Sequence, residues 1–405
     1  MPVKFSNRPR IYINQVSFKG FKSIEDLTID FQKGLNILIG KNGSGKSNFM
    51  EFMYRALRLN RTHKLPYNFA KMQFISDDDH VFIVEYEKLQ KIIKLEDDKF
   101  DDDIEPFDGI VGISEKFTVD STIVYDSTKK NAKRTFDFKD KKSNYRSSIR
   151  TLFSGLGYRS IYPTYLKFNL PENLECISTP GILKVDLESS FFNWEYPKTL
   201  GFIEQVLYDF ELLYDDDLNK LKSINKTNIL RLLKFDKIIK GNLKQYTTIE
   251  DVRFSININL YADEKNIIIE NIKVDFKING NWLPWSQLSD GTKRLFYIIA
   301  EVTYSNGLIL IEEPELGIHP HQFNLLLDFL REQSENKQII ISTHSPKALD
   351  HLEPNELDNI LITYYDLKRG TQIRHLTSRQ KTKAKSYIKE VGFLSDYWML
   401  SDLEQ

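Results

Sequence analysis

Residues 35–47 read Leu35-Asn36-Ile37-Leu38-Ile39-Gly40-Lys41-Asn42-Gly43-Ser44-Gly45-Lys46-Ser47. The apolar run 35–39 predicts a fully buried strand. It leads straight into glycine: residues 40–47 fit the pattern G-x-x-x-x-G-K-[ST], and a helical pattern follows from Asn48 to Leu57. A loop held between a buried strand and a helix is the context that a phosphate cradle needs. Glycines at 40, 43 and 45 let the backbone bend so that successive N–H groups turn toward a β-phosphate at the positive end of the helix. Lys46 then reaches the β and γ oxygens, and Ser47 is a candidate ligand of Mg²⁺. The candidate nucleotide-binding residues are therefore Gly40, Asn42, Gly43, Ser44, Gly45, Lys46, Ser47 and Asn48, with ATP and Mg²⁺ as the expected cofactors.

Upstream of this loop, Ile11, Ile13, Val16 and Phe18, then Leu27, Ile29 and Phe31, alternate as strands do. Downstream, residues 96–108 hold eight acids against one lysine, and residues 126–150 hold nine Lys or Arg against three Asp. Both runs read as loops or edges of an inserted region. Over 197–239 apolar residues fall at helical spacing (Phe202, Val206, Phe210, Leu213, then Ile229, Leu232, Leu233), which predicts a helical insertion. Strand alternation returns at Val252, Phe254, Ile256 and Ile258, and from Gly291 onward helices and strands alternate as in an α/β domain. Residues 368–389 carry eight Lys or Arg and no acid.

Composition narrows the class. The 405 residues are 41% hydrophobic and include 27 Phe and 20 Tyr, enough for a large core and incompatible with a disordered chain. Lys plus Arg number 56 against 57 for Asp plus Glu, so affinity for nucleic acid would have to come from a local patch. Cys176 is the single cysteine and cannot form an internal disulfide. The start Met1-Pro2-Val3-Lys4 lacks a secretory signal's basic head and apolar run, and no apolar stretch approaches the ~20 residues of a membrane span. A cytoplasmic protein with no membrane partner is expected.

Two further stretches carry chemistry. Gly307-Leu308-Ile309-Leu310-Ile311-Glu312-Glu313-Pro314-Glu315 is an apolar strand ending in adjacent carboxylates, where ligands of open α/β sheets bind. Glu312 would hold Mg²⁺ through its water shell, and Glu313 is suited to orient and deprotonate an attacking water. Gln338-Ile339-Ile340-Ile341-Ser342-Thr343-His344-Ser345 is another buried strand, with His344 at its carboxyl end as a candidate partner of the γ-phosphate or the water. The candidate catalytic residues are thus Glu313, His344 and Lys46, and the candidate metal ligands Ser47 and Glu312. His319 and His321 beside Pro320 read as a polar turn or subunit contact.

Between the loop and these strands lies Gln287-Leu288-Ser289-Asp290-Gly291-Thr292-Lys293-Arg294, opening a helix. A phosphate loop, then L-S-x-G at a helix start, then a strand ending Glu-Glu-Pro, then Ser-Thr-His resembles the ATP-binding-cassette (ABC) ATPases. More narrowly it is similar to their soluble branch, with the structural-maintenance-of-chromosomes (SMC), RecF and OLD-type heads. Val16-Ser17-Phe18-Lys19-Gly20-Phe21-Lys22-Ser23-Ile24 and Glu312-Glu313-Pro314-Glu315-Leu316-Gly317-Ile318-His319-Pro320 carry the same likeness, which covers residues 1–90 and 250–376. The resemblance implies an α/β P-loop ABC-type head, a mixed sheet of N-terminal antiparallel strands and a parallel core, and the apolar spacing over 197–239 has it carrying a mainly helical insertion. Residues 1–90 and 250–405 would form the bipartite head, and 91–249 the insertion, a candidate partner or dimer contact. It further implies that Ser289 and the Gly291 N–H bind the γ-phosphate held by another subunit, so that two chains sandwich two nucleotides. A first-lobe glutamine that contacts Mg²⁺ is also implied, with Gln73 as the candidate. The chain departs from the pattern in having Glu312 where many cassette ATPases have Asp. It also has Gly291-Thr292-Lys293 in place of a second glycine followed by Glu or Gln, as in OLD-like small prokaryotic ATPases.

The resemblance makes the chain an ATP-driven switch that dimerises, as a homodimer or higher even assembly. The expected output is control of a separately encoded nuclease or toxin, as in antiphage systems such as Septu and PARIS. The stretch after His344 is too short for the nuclease domain of OLD-type nucleases. One alternative is a RecF-like repair ATPase that clamps duplex DNA through the basic runs 129–150 and 368–389. A second is a slow-turnover scaffold that nucleotide stabilises.

Overall fold

The computed structural model describes residues 8–58, 65–89, 113–130, 132–146, 148–159, 161, 163–167, 181–186, 191–195, 233–263, 265–305 and 307–400. Cys176, the acidic run 96–108 and positions 197–232 of the expected helical stretch lie outside these residues. Twelve strands form one sheet: β1 (Ile11–Phe21), β2 (Ile24–Asp30), β3 (Leu35–Ile39), β4 (Phe69–Ser76), β5 (Val81–Lys88), β6 (Ile113–Val119), β7 (Thr122–Asp126), β8 (Thr164–Lys167), β9 (Leu308–Glu312), β10 (Gln338–Thr343), β11 (Ile360–Asp366) and β12 (Gly370–Arg374). Their order is β8-β9-β10-β3-β11-β12-β2-β1-β4-β5-β6-β7. The first five in that order run parallel. From β12 outward every pairing is antiparallel. This is the mixed sheet that the resemblance implied.

The parallel strands separate two cores. Leu35, Ile37, Ile39, Ile309, Ile311, Ile339 and Ile341 face one, and Leu38, Leu308, Leu310, Ile340 and Leu361 the other. Burial on both faces is why these strands read as near-continuous apolar runs, while β4 and β5 alternate. The α-helices among the described residues are α1 (Lys46–Leu57), α2 (Ile149–Gly155), α3 (Lys237–Tyr246), α4 (Asp290–Tyr304), α5 (Pro320–Ser334), α6 (Ser378–Glu390) and α7 (Leu394–Leu400). The first core is packed by α3, α4 and α5, the second by α1 and the aromatic antiparallel lobe, where Phe18 stacks on Phe52 with centroids 3.5 Å apart. Lys337 is buried beside the first core: it donates to the carbonyls of Val302 and Thr303 and to Gln333 Oε1, capping the C-terminal end of α4. Burial pulls the Lys337 pKa down to about 7.

Several of the described strands within 91–249 pair with strands from outside that range. Strands β6 and β7 extend the antiparallel edge of the main sheet, and β8 closes its parallel edge beside β9. Gly181–Asp186 and Phe191–Glu195 share a second sheet with Asn266–Ile272 and Asn259–Ala262. The described part is therefore rich in strand, and helix appears in it only as α2 and α3. Short strands here pair with partners on the far side of positions 90 and 249, in sheets that sequence separation does not announce. The end of the chain also has a packing role. Leu394 and Trp398 sit in the first core at 2% and 5% exposure, and Ser395 bonds Asp350, while Met399 and Leu400 remain exposed. No helix among the described residues is long and apolar enough to cross a membrane.

Candidate active site

Strand β3 ends at Ile39 and α1 begins at Lys46, so the loop between them sits at the carboxyl edge of the parallel sheet. Gly43 and Gly45 take φ of 76° and 100°, in the left-handed region that favours glycine. Packing makes a second demand. A Cβ on Gly40 would lie 2.2 Å from the Thr363 carbonyl oxygen, and one on Gly45 would lie 2.0 Å from Thr371 Oγ1. Strands β11 and β12 thus press against the back of the loop. Lys46 is buried, and its Nζ donates to the Gly40 and Lys41 carbonyls at 2.7 and 3.2 Å. Asn42 and Ser47 are exposed, Asn48 Nδ2 donates to Ser23 Oγ at 2.7 Å, and the buried Ser44 hydroxyl has no hydrogen-bond partner among the described residues.

His344 links this lysine to a carboxylate. Its Nδ1 is 3.2 Å from Lys46 Nζ and its Nε2 is 3.0 Å from Glu313 Oε1. An ammonium only donates, so Nδ1 accepts from Lys46 and the Nε2–H donates to Glu313. Glu313 follows β9 with φ of 48°, held by its N–H on the Ser342 carbonyl at 2.8 Å. A non-glycine residue in that region costs energy that its surroundings must offset. The third carboxylate, Glu315, clamps the histidine segment by accepting from Thr343 Oγ1 at 2.7 Å and from the His344 N–H at 2.8 Å.

Glu312 is the last residue of β9, with a side chain only 4% exposed. Its Oε2 accepts from the Tyr165 hydroxyl at 2.7 Å, and Lys167 Nζ lies 3.8 Å away. Burial, with the Glu312 charge beside it, pushes the Tyr165 hydroxyl far above the usual tyrosine range. Ser47 and Glu312 offer a hydroxyl and a carboxylate, hard oxygen donors of the kind Mg²⁺ takes together with substrate phosphates, so the residues fit that ion.

Ser289 and Gly291 stand elsewhere. Ser289 is the exposed N-cap of α4, its Oγ accepting from the Thr292 N–H at 3.2 Å. Gly291 is buried under the Gly317 carbonyl, 2.6 Å from where a Cβ would be. Among the described residues no hydrogen bond joins either to residues 40–48. Gln73 is not brought to the loop: it lies mid-strand on β4, paired with Gln15 and Ile83. Its neighbours Met72 and Phe74 join the core that holds α1, so Gln73 projects from the opposite face, five strands from β3. His319 caps α5, its Nδ1 accepting from the His321 N–H at 3.3 Å, a polar turn as expected. Sequence reasoning missed Glu315, Tyr165 and Arg294. The Arg294 guanidinium is held below its usual pKa by burial, against the opposing pull of Asp290 and Glu313.

A glycine-rich loop between a buried parallel strand and a helix, facing a Glu-Glu pair and a histidine on the neighbouring strands, defines an ABC-type ATPase of the SMC/RecF-like branch. The chain belongs to the family described as "AAA domain, putative AbiEii toxin, Type IV TA system", whose model matches residues 35–350. It is 22% identical over 356 residues to an ATP/GTP phosphatase of Helicobacter pylori, covering 84% of this chain and 87% of that protein. It is 24% identical over 207 residues to the Retron Ec83 probable ATPase of Escherichia coli, covering 47% of this chain but 33% of that one. The likeness to DNA replication and repair protein RecF of Streptococcus agalactiae is 41% over 54 residues, 13% of this chain and 14% of that protein. The structure of an SmcHead bound to the C-winged helix domain of ScpA aligns over 92% of this chain and 99% of that one, with 15% identity and a TM-score of 0.48.

Proposed function

We propose that this ATPase is a switch: two copies close around two ATP molecules, reopen after hydrolysis, and thereby control a separate nuclease or toxin. The observation that carries the reading is the line Lys46–His344–Glu313, which joins the phosphate-binding lysine to the carboxylate suited to activating water. In this reading residues 40–48 bind the phosphates, Lys46 holds the β and γ oxygens, and Ser47 and Glu312 hold Mg²⁺, which neutralises charge on the phosphates. Glu313 takes the proton of the attacking water, and His344 keeps that carboxylate aligned with the γ-phosphate. Ser289, exposed on its helix N-terminus, is available to a nucleotide on a second copy. The γ-phosphate then adds contacts that ADP lacks, which is how hydrolysis would part the copies. The similarity to a retron ATPase and the toxin–antitoxin description of the family support an effector-linked role. The test is light scattering of Glu313→Gln, with ATP giving dimers and ADP monomers, followed by co-purification with the product of the neighbouring gene. Monomers in both nucleotides would reject the switch.

A second reading, a DNA clamp, is favoured by the short RecF match. It requires duplex DNA affinity that falls steeply with salt.

A further inference from the structure

Glu312 is gripped from a stretch of chain that the ABC resemblance does not reach. Strand β8 pairs with β9 in parallel, in a register that sets Lys167 beside Glu312 and Tyr165 beside Leu310. Residues two apart on a strand share a face, so Tyr165 and Lys167 both come to the side on which Glu312 projects. The Tyr165 hydroxyl donates to Glu312 Oε2 at 2.7 Å, and the Lys167 ammonium stands 3.8 Å from the same oxygen. Tyr165 is itself fixed by the ring of Tyr54 on α1, with centroids 5.2 Å apart. A carboxylate with one oxygen tied to a braced phenol cannot rotate freely, and no hydrogen bond among the described residues engages its Oε1.

We propose that Tyr165 is a positioning residue for the Glu312 carboxylate, presenting Oε1 to Mg²⁺ and its water shell, while Lys167 opposes the ion by competing for the same charge. The proposal rests on the reading of Glu312 as the carboxylate that serves Mg²⁺. Its consequence is that β8 tunes the metal dependence of the nucleotide site through one hydroxyl and one ammonium.

The experiment titrates Mg²⁺ into the full-length chain with a saturating non-hydrolysable ATP analogue, reading the thermal unfolding midpoint so that no turnover is needed. Tyr165→Phe keeps the ring on Tyr54 and deletes the donor. It should raise the Mg²⁺ concentration at half-effect by about 10-fold, as loss of a ligand's outer partner does. Lys167→Gln should move it the other way, by on the order of threefold for a partly exposed charge pair. Opposite signs are what damage to the strand would not produce, so shifts in the same direction overturn the proposal. Glu312→Gln is the reference. If it leaves the curve in place, the Glu312 reading itself is wrong. If it shifts the curve and Tyr165→Phe does not, that reading stands and the proposal falls. Should Tyr165→Phe not fold, Lys167→Gln decides alone, and an unmoved or raised Mg²⁺ concentration at half-effect overturns the proposal.

Discussion

Two helix N-termini of this chain are furnished in opposite ways. The start of α1 is enclosed: Lys46 is buried and bonded to Gly40, Lys41 and His344, with β11 and β12 pressed behind the loop. The start of α4 is open: Ser289 is exposed, and among the described residues its hydroxyl bonds only within its own turn, to Thr292. Both ends carry the same partial positive charge and unsatisfied N–H groups. Among the described residues, the groups proposed to act on a phosphate gather around the first and not the second. That contrast is what a shared site would ask of each copy, with one terminus complete and the other offered outward.

The enclosed end should give the largest effects. Lys46→Ala should abolish nucleotide binding, whereas Glu313→Gln should keep binding and slow hydrolysis by about 10²–10⁴-fold, the range of a lost general base. Fluorescent ATP binding set against phosphate release separates the two roles, and equal loss of affinity in both variants would erase the distinction. The open end is tested by mixing chains. Lys46→Ala and Ser289→Arg, each inactive alone, should recover about a quarter of wild-type hydrolysis if two-fold dimers mix at random. No recovery in proven mixed dimers would mean that Ser289 serves its own chain.

A smaller effect is expected at Glu315, which among the described residues touches the site through Thr343 and the His344 backbone. Glu315→Gln should lower kcat about 10-fold through slackened alignment, leaving KM near wild type. A rise in KM with unchanged kcat would make Glu315 a binding residue. The smallest effect concerns the far end of α4. The folded-state pKa of Lys337 is lowered to about 7 from 10.5, so between those values the unfolded chain holds more protons and stability rises with pH. Against Lys337→Met, wild type should therefore gain about 2 kcal/mol from pH 7 to 9 in urea unfolding. A difference that stays flat with pH would show that the carbonyls of Val302 and Thr303 keep the ammonium charged.

The enclosed end was largely legible in the sequence, because strand, loop and helix are contiguous and each glycine, lysine and serine has a local reason for its place. Glu312, Glu313 and His344 were legible for the same reason, as polar residues at the ends of runs too apolar to be anything but central strands. What lay hidden depends on pairing across long separations. Nothing near Tyr165 announces that a four-residue strand will register beside Glu312, and nothing near Thr371 announces that it stands where a Cβ on Gly45 would go. The helical insertion was read from spacing alone, whereas its described neighbours form strands whose partners lie elsewhere in the chain. Gln73 was proposed with no periodicity to place it, and the strand register turns it away.

The position of β3 in the sheet also sets a timetable. Its neighbours are β10 and β11, whose pairing residues lie about 300 positions downstream. At synthesis rates of roughly 5–20 residues per second, both edges of β3 wait about 15–60 s for partners. During that interval Leu35-Asn36-Ile37-Leu38-Ile39 is a bare apolar strand, open to wrong pairing as any unprotected edge is. Closing so long a loop is also slow in itself, which predicts delayed refolding after dilution from denaturant. Residues 40–47 are thus synthesised about 300 positions before the strands that brace them.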